Sequence, residues 1–354
     1  MGGEHVETLM RLNVVSHSVG RTRILGAGKV LKNTLKGLAG LGVDVRFNEP
    51  VAEHRYNWIH DAPEGIIEAG FSGRPVLVGP NTAATPGDLP KIRYPLHPAS
   101  IYLFPSEWPM KAWHASDFRE CRCRVWATGI DLDDFDKQYM QRNGANRALI
   151  YFKHRSDELL SRVEELIRGQ GWEYEILRYG SYDESKYRLA LGRARCGIWV
   201  GGTESQGFAL MEAMASGLPL LVLDASSLSD NVHDFRNPLV PRFPQQFIAT
   251  GATTAPYFDS RCGWRIDAND LNGALLERFL RQIDCFDPAT YVGEQFSLDQ
   301  CARRLVEIAE ELPVVQARST PLGPRFSKTL RYLDLATRSW PWKWAGQRLW
   351  KEIR

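Results

Sequence analysis

The sequence lacks any apolar run long enough to cross a membrane. Its longest candidate, Leu218 to Leu223, has the length of a strand, whereas a spanning helix needs about 18 or more apolar residues. The N-terminal segment has no apolar signal-peptide core, and Val6 stands where a myristoylation signal requires serine or threonine. We therefore expect a cytoplasmic protein without a membrane-spanning helix.

The chain also lacks an excess of either charge. Its 354 residues include 44 Lys and Arg against 42 Asp and Glu, a formal net charge of +2. That balance argues against a dedicated nucleic-acid-binding protein. The six cysteines are scattered, without the CxxC or Cys/His spacing of a zinc site. Reduced, buried thiols are the interpretation that fits this pattern.

What the chain does contain suits two cored domains. Its hydrophobic content is 44%, and a domain usually takes about 150 residues. Strand-length apolar runs alternate with stripes of helical spacing, as at Leu31, Leu35 and Leu38, and such alternation predicts parallel sheets covered by helices. We predict an α/β protein of two Rossmann-like, doubly wound domains, residues 1–145 and 146–312, with a ligand cleft between the carboxyl ends of their sheets.

Glycines and polar turns mark the predicted ends of these elements. The first strand, Arg11 to Ser16, leads into a loop that carries Gly26 and Gly28. The last strand of the first domain is predicted at Val125 to Ala127. A polar stretch from Asp131 to Arg147 then predicts the linker between the domains.

The most informative segment runs from Gly201 to Pro219 and reads GGTESQGFALMEAMASGLP. A strand is predicted to end in the two glycines, and a helix to begin near Gly207 and run from Phe208 to Ala215, with Gly217 at its end. Free N–H groups at a helix start, with a glycine permitting close approach, form an anion site suited to a diphosphate. Glu212, inside the helix, can accept both hydrogen bonds of a ribose diol, and Glu204 can accept from sugar hydroxyls. The structural alternative is an ordinary strand–loop–helix with two surface glutamates.

This segment resembles the E-x7-E signature of retaining GT-B glycosyltransferases of the family-4-like, or group 1, type. Glu204 and Glu212 stand eight apart, and the flanking Gly-Phe, Glu-Ala-Met-Ala and Gly-x-Pro pieces match as well. Residues 14–42 resemble the family's first strand–loop–helix, and residues 129–131 the Gly-Val/Ile-Asp before its second domain. The resemblance covers residues 10–312. It implies a GT-B fold and transfer of a sugar from a nucleotide-sugar donor to a hydroxyl acceptor, with retention and without a metal.

The resemblance also implies roles for residues along the cleft. A basic pair at the start of the second domain holds the donor diphosphate in such enzymes. Here the pair is Lys153 and Arg155, spaced differently from the usual Gly-Arg followed by a lysine. Fixed cations there would stabilise charge on the leaving diphosphate; a solvated basic strand end is the alternative. The other donor-binding residues implied are Tyr179, Gly180, Tyr182, Ser205, Gln206, Gly207, Phe208, Glu212 and Gly28.

Two further features have competing interpretations. His60 follows a short strand, and similar enzymes place a histidine from this region near the donor sugar, although a lone histidine at a strand end is also a common structural residue. Asp131 and Asp133 form a DxD pattern, which chelates a metal in the other main glycosyltransferase fold. Because it lies at the predicted linker, we predict neither a metal site nor a cofactor.

The resemblance leaves the substrates and two alternative functions open. A UDP- or GDP-sugar is the expected donor, and a glycan or lipid-linked precursor the expected acceptor, as in polysaccharide biosynthesis. A nucleotide-sugar epimerase of the same fold is the alternative enzyme. An inactive relative that only binds nucleotide sugars is the alternative of another class. Release of nucleoside diphosphate only when acceptor is present would favour transfer.

The C-terminal segment, residues 313–354, differs from the body. From Arg318 onward it carries nine basic residues against two acidic ones, and four of the eleven tryptophans. Tryptophan with lysine and arginine suits the surface of an anionic membrane. The alternative is packing, with a helix that crosses back onto the first domain. We expect such a crossover up to Leu335 and a peripheral membrane contact from Trp340 onward.

Overall fold

The first sheet has six parallel strands in the order β2-β1-β3-β4-β5-β6. In this computed structural model, residues 10–20, 26–90, 95–135, 146–232 and 243–318 are described. The strands are β1 Arg11–Val15, β2 Asp44–Phe47, β3 Tyr56–Ile59, β4 Leu77–Val78, β5 Ile101–Phe104 and β6 Arg122–Val125. The helices around them are α1 Gly26–Gly40, α2 Glu64–Ser72 and α3 Glu107–Ala115.

The second sheet has five parallel strands in the order β11-β10-β9-β7-β8. The strands are β7 Arg147–Lys153, β8 Glu173–Arg178, β9 Cys196–Gly201, β10 Leu220–Asp224 and β11 Gly263–Asp267. The helices of this half are α4 Asp157–Gly169, α5 Glu184–Arg193, α6 Phe208–Ala215, α7 Gln245–Ala249, α8 Gly273–Gln282, α9 Pro288–Phe296 and α10 Leu298–Glu310. Within the described ranges, no helix is both long and apolar enough to span a bilayer.

Burial on both faces explains why the central strands are nearly continuous apolar runs. All four residues of β5 are buried, and so are all six of β9. Helices on each face of a parallel sheet leave no position for a solvated side chain. The covering helices are amphipathic: α4 buries Leu160, Val163 and Ile167, and Ser156 caps it by accepting from the Leu159 N–H.

Each sheet has one point where the strand order reverses. In the first sheet the point lies between β1 and β3, and in the second between β7 and β9. The crevice outside the carboxyl ends of such strands is where open α/β sheets bind ligands. His60 follows β3 directly, and Lys153 is the last residue of β7. The topology therefore brings these two predicted residues to the two switch points.

Two chain crossings join the halves and are bonded to each other. Ile130 pairs with Ser297 in an isolated parallel bridge, and the Ile130 N–H donates to Phe296 O at 2.8 Å. Just beyond the second crossing, α10 packs on α1. A Cβ at Gly37 would lie 2.5 Å from Leu298 O, so only glycine permits this approach. Ala302, Leu305 and Ala309 of α10 share a core cluster with strands of the first sheet.

The described chain ends against α2. The Arg318 N–H donates to Ser72 O at 2.9 Å, and Arg74 donates to Val315 O. Residues 319–354 lie outside the described residues, and with them the predicted crossover to Leu335 and the predicted membrane contact. The predicted domain boundary at residues 145 and 146 adjoins another undescribed stretch, 136–145, and stays a prediction.

Several predicted elements need correction. The last strand of the first sheet is Arg122–Val125 rather than Val125 to Ala127, and Gly26 and Gly28 lie in the first turn of α1 rather than in the loop before it. Strand β11 and helices α7 and α9 were not predicted. Helix α6 has the predicted bounds, Phe208–Ala215, because Gly207 and Gly217 both adopt positive φ and end it on either side.

Candidate active site

The candidate site begins where β7 and β9 end side by side. Lys153 lies opposite Gly201 in the register of these parallel strands. The Gly202 N–H donates to Lys153 O at 2.7 Å, so the chain leaves β9 directly beside the end of β7. This arrangement sends the loop that carries Glu204 over the carboxyl edge of the second sheet.

Lys153 and Glu204 form an ion pair at that edge. Lys153 Nζ lies 2.7 Å from Glu204 Oε1, and the side chains are only 14% and 17% exposed. Although burial lowers the pKa of Lys153, the charge and hydrogen bond of Glu204 outweigh it and raise the pKa above its ordinary value. The two residues predicted to act on the diphosphate and on the sugar are thus in direct contact.

The loop between β9 and α6 is held from both halves of the molecule. The Glu204 N–H donates to Thr253 O at 2.9 Å, and Trp108 Nε1 of α3 donates to Glu204 O at 2.8 Å. Ser106, at the start of α3, donates from its hydroxyl to Ser205 O. Ser205 itself is exposed. These backbone hydrogen bonds fix the loop, and with it the position from which the Glu204 side chain reaches Lys153.

Helix α6 starts at a glycine. Gly207 has φ 84°, a left-handed conformation, and has no side chain to cap the helix. A helix start of this kind offers backbone N–H groups to an anion. Gln206, just before it, is buried and bonded to the backbone of Thr128: its Nε2 donates to Thr128 O at 2.8 Å, and its Oε1 accepts from the Thr128 N–H at 3.1 Å. Gln206 therefore joins the two halves in this structure, and its predicted contact with the donor stays a prediction.

Glu212 lies inside α6 and is 3% exposed. It forms an ion pair with Lys29, which reaches it from α1 in the first half. Burial raises the pKa of Glu212 to about 7, although the charge of Lys29 opposes the rise. Phe208, in the first turn of α6, packs against core clusters of both halves. The second glutamate of the motif is thus buried, and its cation comes from the opposite domain.

Arg155 has different partners from Lys153. Its Nη1 donates to Gly201 O at 3.3 Å and to Leu223 O at 3.5 Å, across the ends of β9 and β10. Burial lowers the pKa of Arg155, against the charges of nearby aspartates, Asp230 first among them. The described hydrogen bonds of Arg155 go to backbone oxygens.

The two tyrosines predicted to bind the donor have different surroundings. Tyr179 is 55% exposed, and Lys153 Nζ lies 4.4 Å from the centroid of its ring. Gly180, with φ 81°, turns the chain after it. Tyr182 is only partly exposed: its hydroxyl donates to the Tyr151 hydroxyl at 3.2 Å, and its ring stacks 5.6 Å from that of Tyr187. Tyr179 therefore offers the open aromatic face, while Tyr182 packs against the core.

His60 is buried at the switch point of the first sheet. Its Nε2 lies 2.9 Å from Ala27 O in the first turn of α1, and its ring lies 4.9 Å from that of Trp58. Among the described residues, no group partners its Nδ1. Burial lowers the pKa of His60, against the charge of Asp61, so the imidazole is neutral near pH 7. The predicted role of His60 at the sugar remains a prediction.

The DxD pattern is divided between two environments. Asp131 is 5% exposed, and its carboxylate accepts from Lys36 Nζ at 2.7 and 2.8 Å. The side chain of Asp133 is 93% exposed. Asp131 thus ties α1 to the chain just after the first crossing.

Comparison with known proteins supports the architecture. No protein-family model matches the sequence, and no curated protein matches it. Among solved structures, the chain is similar to AviGT4, a glycosyltransferase involved in avilamycin A biosynthesis, with a TM-score of 0.51 and 13% identity over 85% of this chain and 97% of that one. The chain has the GT-B fold.

Two other glycosyltransferase structures align over a similar share. A sucrose-phosphate synthase from Thermosynechococcus elongatus gives a TM-score of 0.49 and 12% identity over 85% of this chain and 98% of that one. The catalytic domain of starch synthase IV from Arabidopsis thaliana, bound to ADP and acarbose, gives a TM-score of 0.49 and 10% identity over 85% of this chain and 99% of that one. At 13% identity, the likeness to AviGT4 establishes the GT-B fold alone, and the reaction has to be argued from the site.

Sequence reasoning missed several residues that shape this site. Asn231 accepts from the Thr203 N–H at 2.8 Å and donates to the Thr203 hydroxyl at 2.9 Å, which fixes the loop before Glu204. Trp108 and Lys29 reach the motif from the first half. Each lies far along the chain from the residue it contacts, so spacing carries no signal for it; only the position of Lys29 next to Gly28 hinted at the site.

Proposed function

We propose that this protein is a glycosyltransferase that moves a sugar from a nucleotide-sugar donor to a hydroxyl group of an acceptor. The observation that carries the proposal is the Lys153–Glu204 pair at the switch point of the second sheet, with 2.7 Å between charged atoms. Glu212 lies in the helix that follows. These residues would supply a fixed cation, an acceptor for sugar hydroxyls and a buried carboxylate for a ribose near one edge of a GT-B sheet.

The chemistry needs these groups at the diphosphate. Transfer breaks the bond between the anomeric carbon and the donor phosphate oxygen and forms a bond from that carbon to the acceptor oxygen. Negative charge grows on the leaving diphosphate, where Lys153, Arg155 and the start of α6 would stabilise it without a metal ion. With retention, the acceptor attacks on the face that the phosphate leaves, and its proton passes to that phosphate. Glu204 would hold the sugar hydroxyls during this step.

The two halves would divide the substrates. The open face of Tyr179, beside Lys153, suits stacking of a nucleobase, and a UDP- or GDP-sugar is the donor class we propose. The acceptor, a glycan or a lipid-linked precursor, would approach from the first half, where His60 follows β3. A neutral imidazole there would not compete with the cations at the diphosphate.

A thermal-shift screen across UDP-, GDP-, ADP- and CMP-sugars tests the donor site, because a ligand that binds the folded state raises its melting temperature. We expect one nucleotide class to stabilise the protein, and its sugar nucleotide to yield nucleoside diphosphate when acceptor is added. Glu204→Gln keeps the shape of the side chain and should slow that release. A protein that neither binds nor consumes any of these compounds would contradict the proposal.

The same assay separates the alternative functions. An epimerase would convert the bound sugar nucleotide into a stereoisomer, detectable by proton NMR, without releasing nucleoside diphosphate. A binding-only relative would be stabilised by the nucleotide but would release no diphosphate with any acceptor preparation. Release that depends on acceptor, and that falls in Glu204→Gln, is the outcome that a transferase alone gives.

A further inference from the structure

Lys29 lies in the first turn of α1, in the first half of the molecule, but its ammonium group lies among carboxylates of the second half. Nζ donates to Glu184 Oε1 at 3.0 Å, at the start of α5, and forms an ion pair with Glu212 Oε1 in α6. The Lys29 side chain is 20% exposed and that of Glu212 only 4%. This contact joins the two halves directly beside the predicted donor site.

The surroundings of Glu212 make this cation important. Removing a carboxylate from water without a partner is costly, so a buried carboxylate needs a cation or takes up a proton. Among the described residues, the other charged or titratable groups that face it are Glu184 and Arg188 of α5, with Tyr182 and Tyr187. Glu184 repels the carboxylate.

The charge of Arg188 favours the ionised form of Glu212, but Arg188 also pairs with two other carboxylates. Its guanidinium lies 3.5 Å from both Asp134 and Glu184. Within the described part of the chain, Lys29 is therefore the cation bonded to the Glu212 carboxylate. Although burial lowers the pKa of Lys29, the charges and hydrogen bonds of Glu212 and Glu184 together outweigh it and raise the pKa, so the ammonium stays charged.

We infer that Lys29 is a positioning residue of the donor site, which holds the Glu212 carboxylate ready for the ribose diol and makes donor binding by the second domain depend on the first. The inference rests on the proposed function. A vicinal diol donates two hydrogen bonds, which an ionised carboxylate accepts and a protonated carboxyl accepts poorly. Lys29 acts through Glu212 and need not touch the donor.

The rest of α1 explains how the position of Lys29 is fixed. One turn further on, Asn33 Nδ2 donates to Gly129 O at 2.8 Å, at the first crossing between the halves. Lys36 pairs with Asp131 just beyond it. Because the same helix is tied to the junction of the two halves and carries Lys29 to Glu212, a rotation of one half against the other would change the Lys29–Glu212 distance.

Calorimetric titration of the full chain with UDP, GDP and ADP, and with their 2′-deoxy counterparts, tests the inference. For the nucleotide that wild type prefers, Lys29→Met should weaken binding about tenfold or more, the loss of one charged interaction. It should also reduce the preference for the ribose over the deoxyribose form. Lys29→Arg should restore much of both. Lys32→Met is the matched control, because it removes the same charge from an exposed position of the same helix.

The pH dependence of nucleotide affinity gives a second readout, which would not change if the role of Lys29 were merely structural. Wild-type affinity should fall as pH drops through about 7, where Glu212 becomes protonated. Removing Lys29 removes a group that lowers the pKa of Glu212, so in Lys29→Met the same fall should begin at higher pH. If Lys29→Met does not fold, Lys29→Gln, which keeps a hydrogen-bond donor without the charge, serves the same comparison.

The outcomes separate this inference from the proposed function. Wild-type protein that binds none of the nucleotides contradicts the proposed function itself. If wild-type protein prefers the ribose form, and Lys29→Met shows the same preference and loses affinity at the same pH, only the role of Lys29 is overturned. If Lys29→Met weakens binding of the ribose and deoxyribose forms equally and does not shift the pH at which affinity falls, the role of Lys29 is also overturned, because that result reports general damage to the fold.

Discussion

The two glutamates of the motif have opposite surroundings although they lie eight residues apart. Glu204 is on a loop, partly exposed, and bonded to Lys153 of its own half. Glu212 is inside a helix, nearly inaccessible, and bonded to Lys29 of the other half. This difference suits two tasks. A partly exposed carboxylate can exchange its lysine for sugar hydroxyls, whereas a buried one offers a fixed, desolvated acceptor.

Lys153 and Glu204 should behave as a unit. We expect Lys153→Met to lower kcat for diphosphate release about a hundredfold, since it removes a fixed cation at the leaving group. Glu204→Gln should lower kcat about tenfold or more. Because each variant also leaves its partner without a counterion, the double variant should be less impaired than the product of the two effects. Steady-state kinetics of all three variants measures the coupling, and strictly multiplicative losses would show that the pair does not act together.

Glu212 should make stability depend on pH in a definite direction. Its pKa is raised by burial from the ordinary 4.5 to about 7, so the folded state holds a proton that the unfolded state has released. The stabilisation from that proton is full below about pH 4.5 and is lost as pH rises through about 7. Glu212→Gln lacks this dependence. The melting temperature of Glu212→Gln relative to wild type should therefore rise between pH 5 and pH 8, and a constant difference would contradict the raised pKa.

At the scale of elements, central strands and edge strands differed in how well the sequence predicted them. The central strands β5 and β9 are buried throughout, and their apolar runs predict strands at Ile101 to Phe104 and Cys196 to Val200, within one residue of the observed bounds. Strand β6 was predicted three residues late, and β11 was missed; both lie at an edge of their sheet. Their burial patterns alternate or remain intermediate, because one side of an edge strand is open to water. Without a continuous apolar run, periodicity gives them a weak signal.

The contact between α1 and α10 depends on a glycine. A Cβ at Gly37 would lie 2.5 Å from Leu298 O and 2.9 Å from Ala302 Cβ. We expect Gly37→Ala to lower the free energy of unfolding by about 1–3 kcal/mol, because the helices must separate to accept it. Gly40→Ala is the control on the same helix: nothing lies within 4 Å of its Cβ position, and the change should raise stability by up to about 1 kcal/mol. Urea unfolding measures both, and equal effects would contradict close packing at Gly37.

At the scale of the whole molecule, the halves are joined by far more than the two crossings. Tyr257 donates to Pro105 O, and Leu228 and Phe247 of the second half share a core cluster with strands of the first sheet. Trp126, just after β6 of the first half, donates from Nε1 to Cys301 O of α10 at 2.9 Å. The loop between β9 and α6 is also bonded to the first half, through Ser106 and Trp108, so its geometry depends on how the halves are arranged.

Residues 319–354 of the C-terminal segment lie outside the described residues, and their membrane contact remains a prediction from sequence. Each basic residue near an anionic bilayer contributes about 1 kcal/mol, and salt screens that attraction. Full-length protein should sediment with vesicles that contain phosphatidylglycerol in low salt and be released in high salt. A chain that ends before Ser339 should stay in solution, and phosphatidylcholine vesicles are the control for charge. Equal binding by both chains, or by neither, would leave Trp340, Trp342, Trp344 and Trp350 as packing residues.

The sequence by itself determined the two α/β sheets, the bounds of α6 and the spacing of Glu204 and Glu212. Apolar periodicity and the glycines that end helices act between neighbours along the chain, so they can be recognised without a structure. The tertiary structure decided which cation serves each glutamate: Lys153 for one, and Lys29 from the opposite half for the other. It also decided that α10 packs on α1. Such contacts join residues far apart in the chain, and they depend on how finished elements pack, which local spacing does not encode.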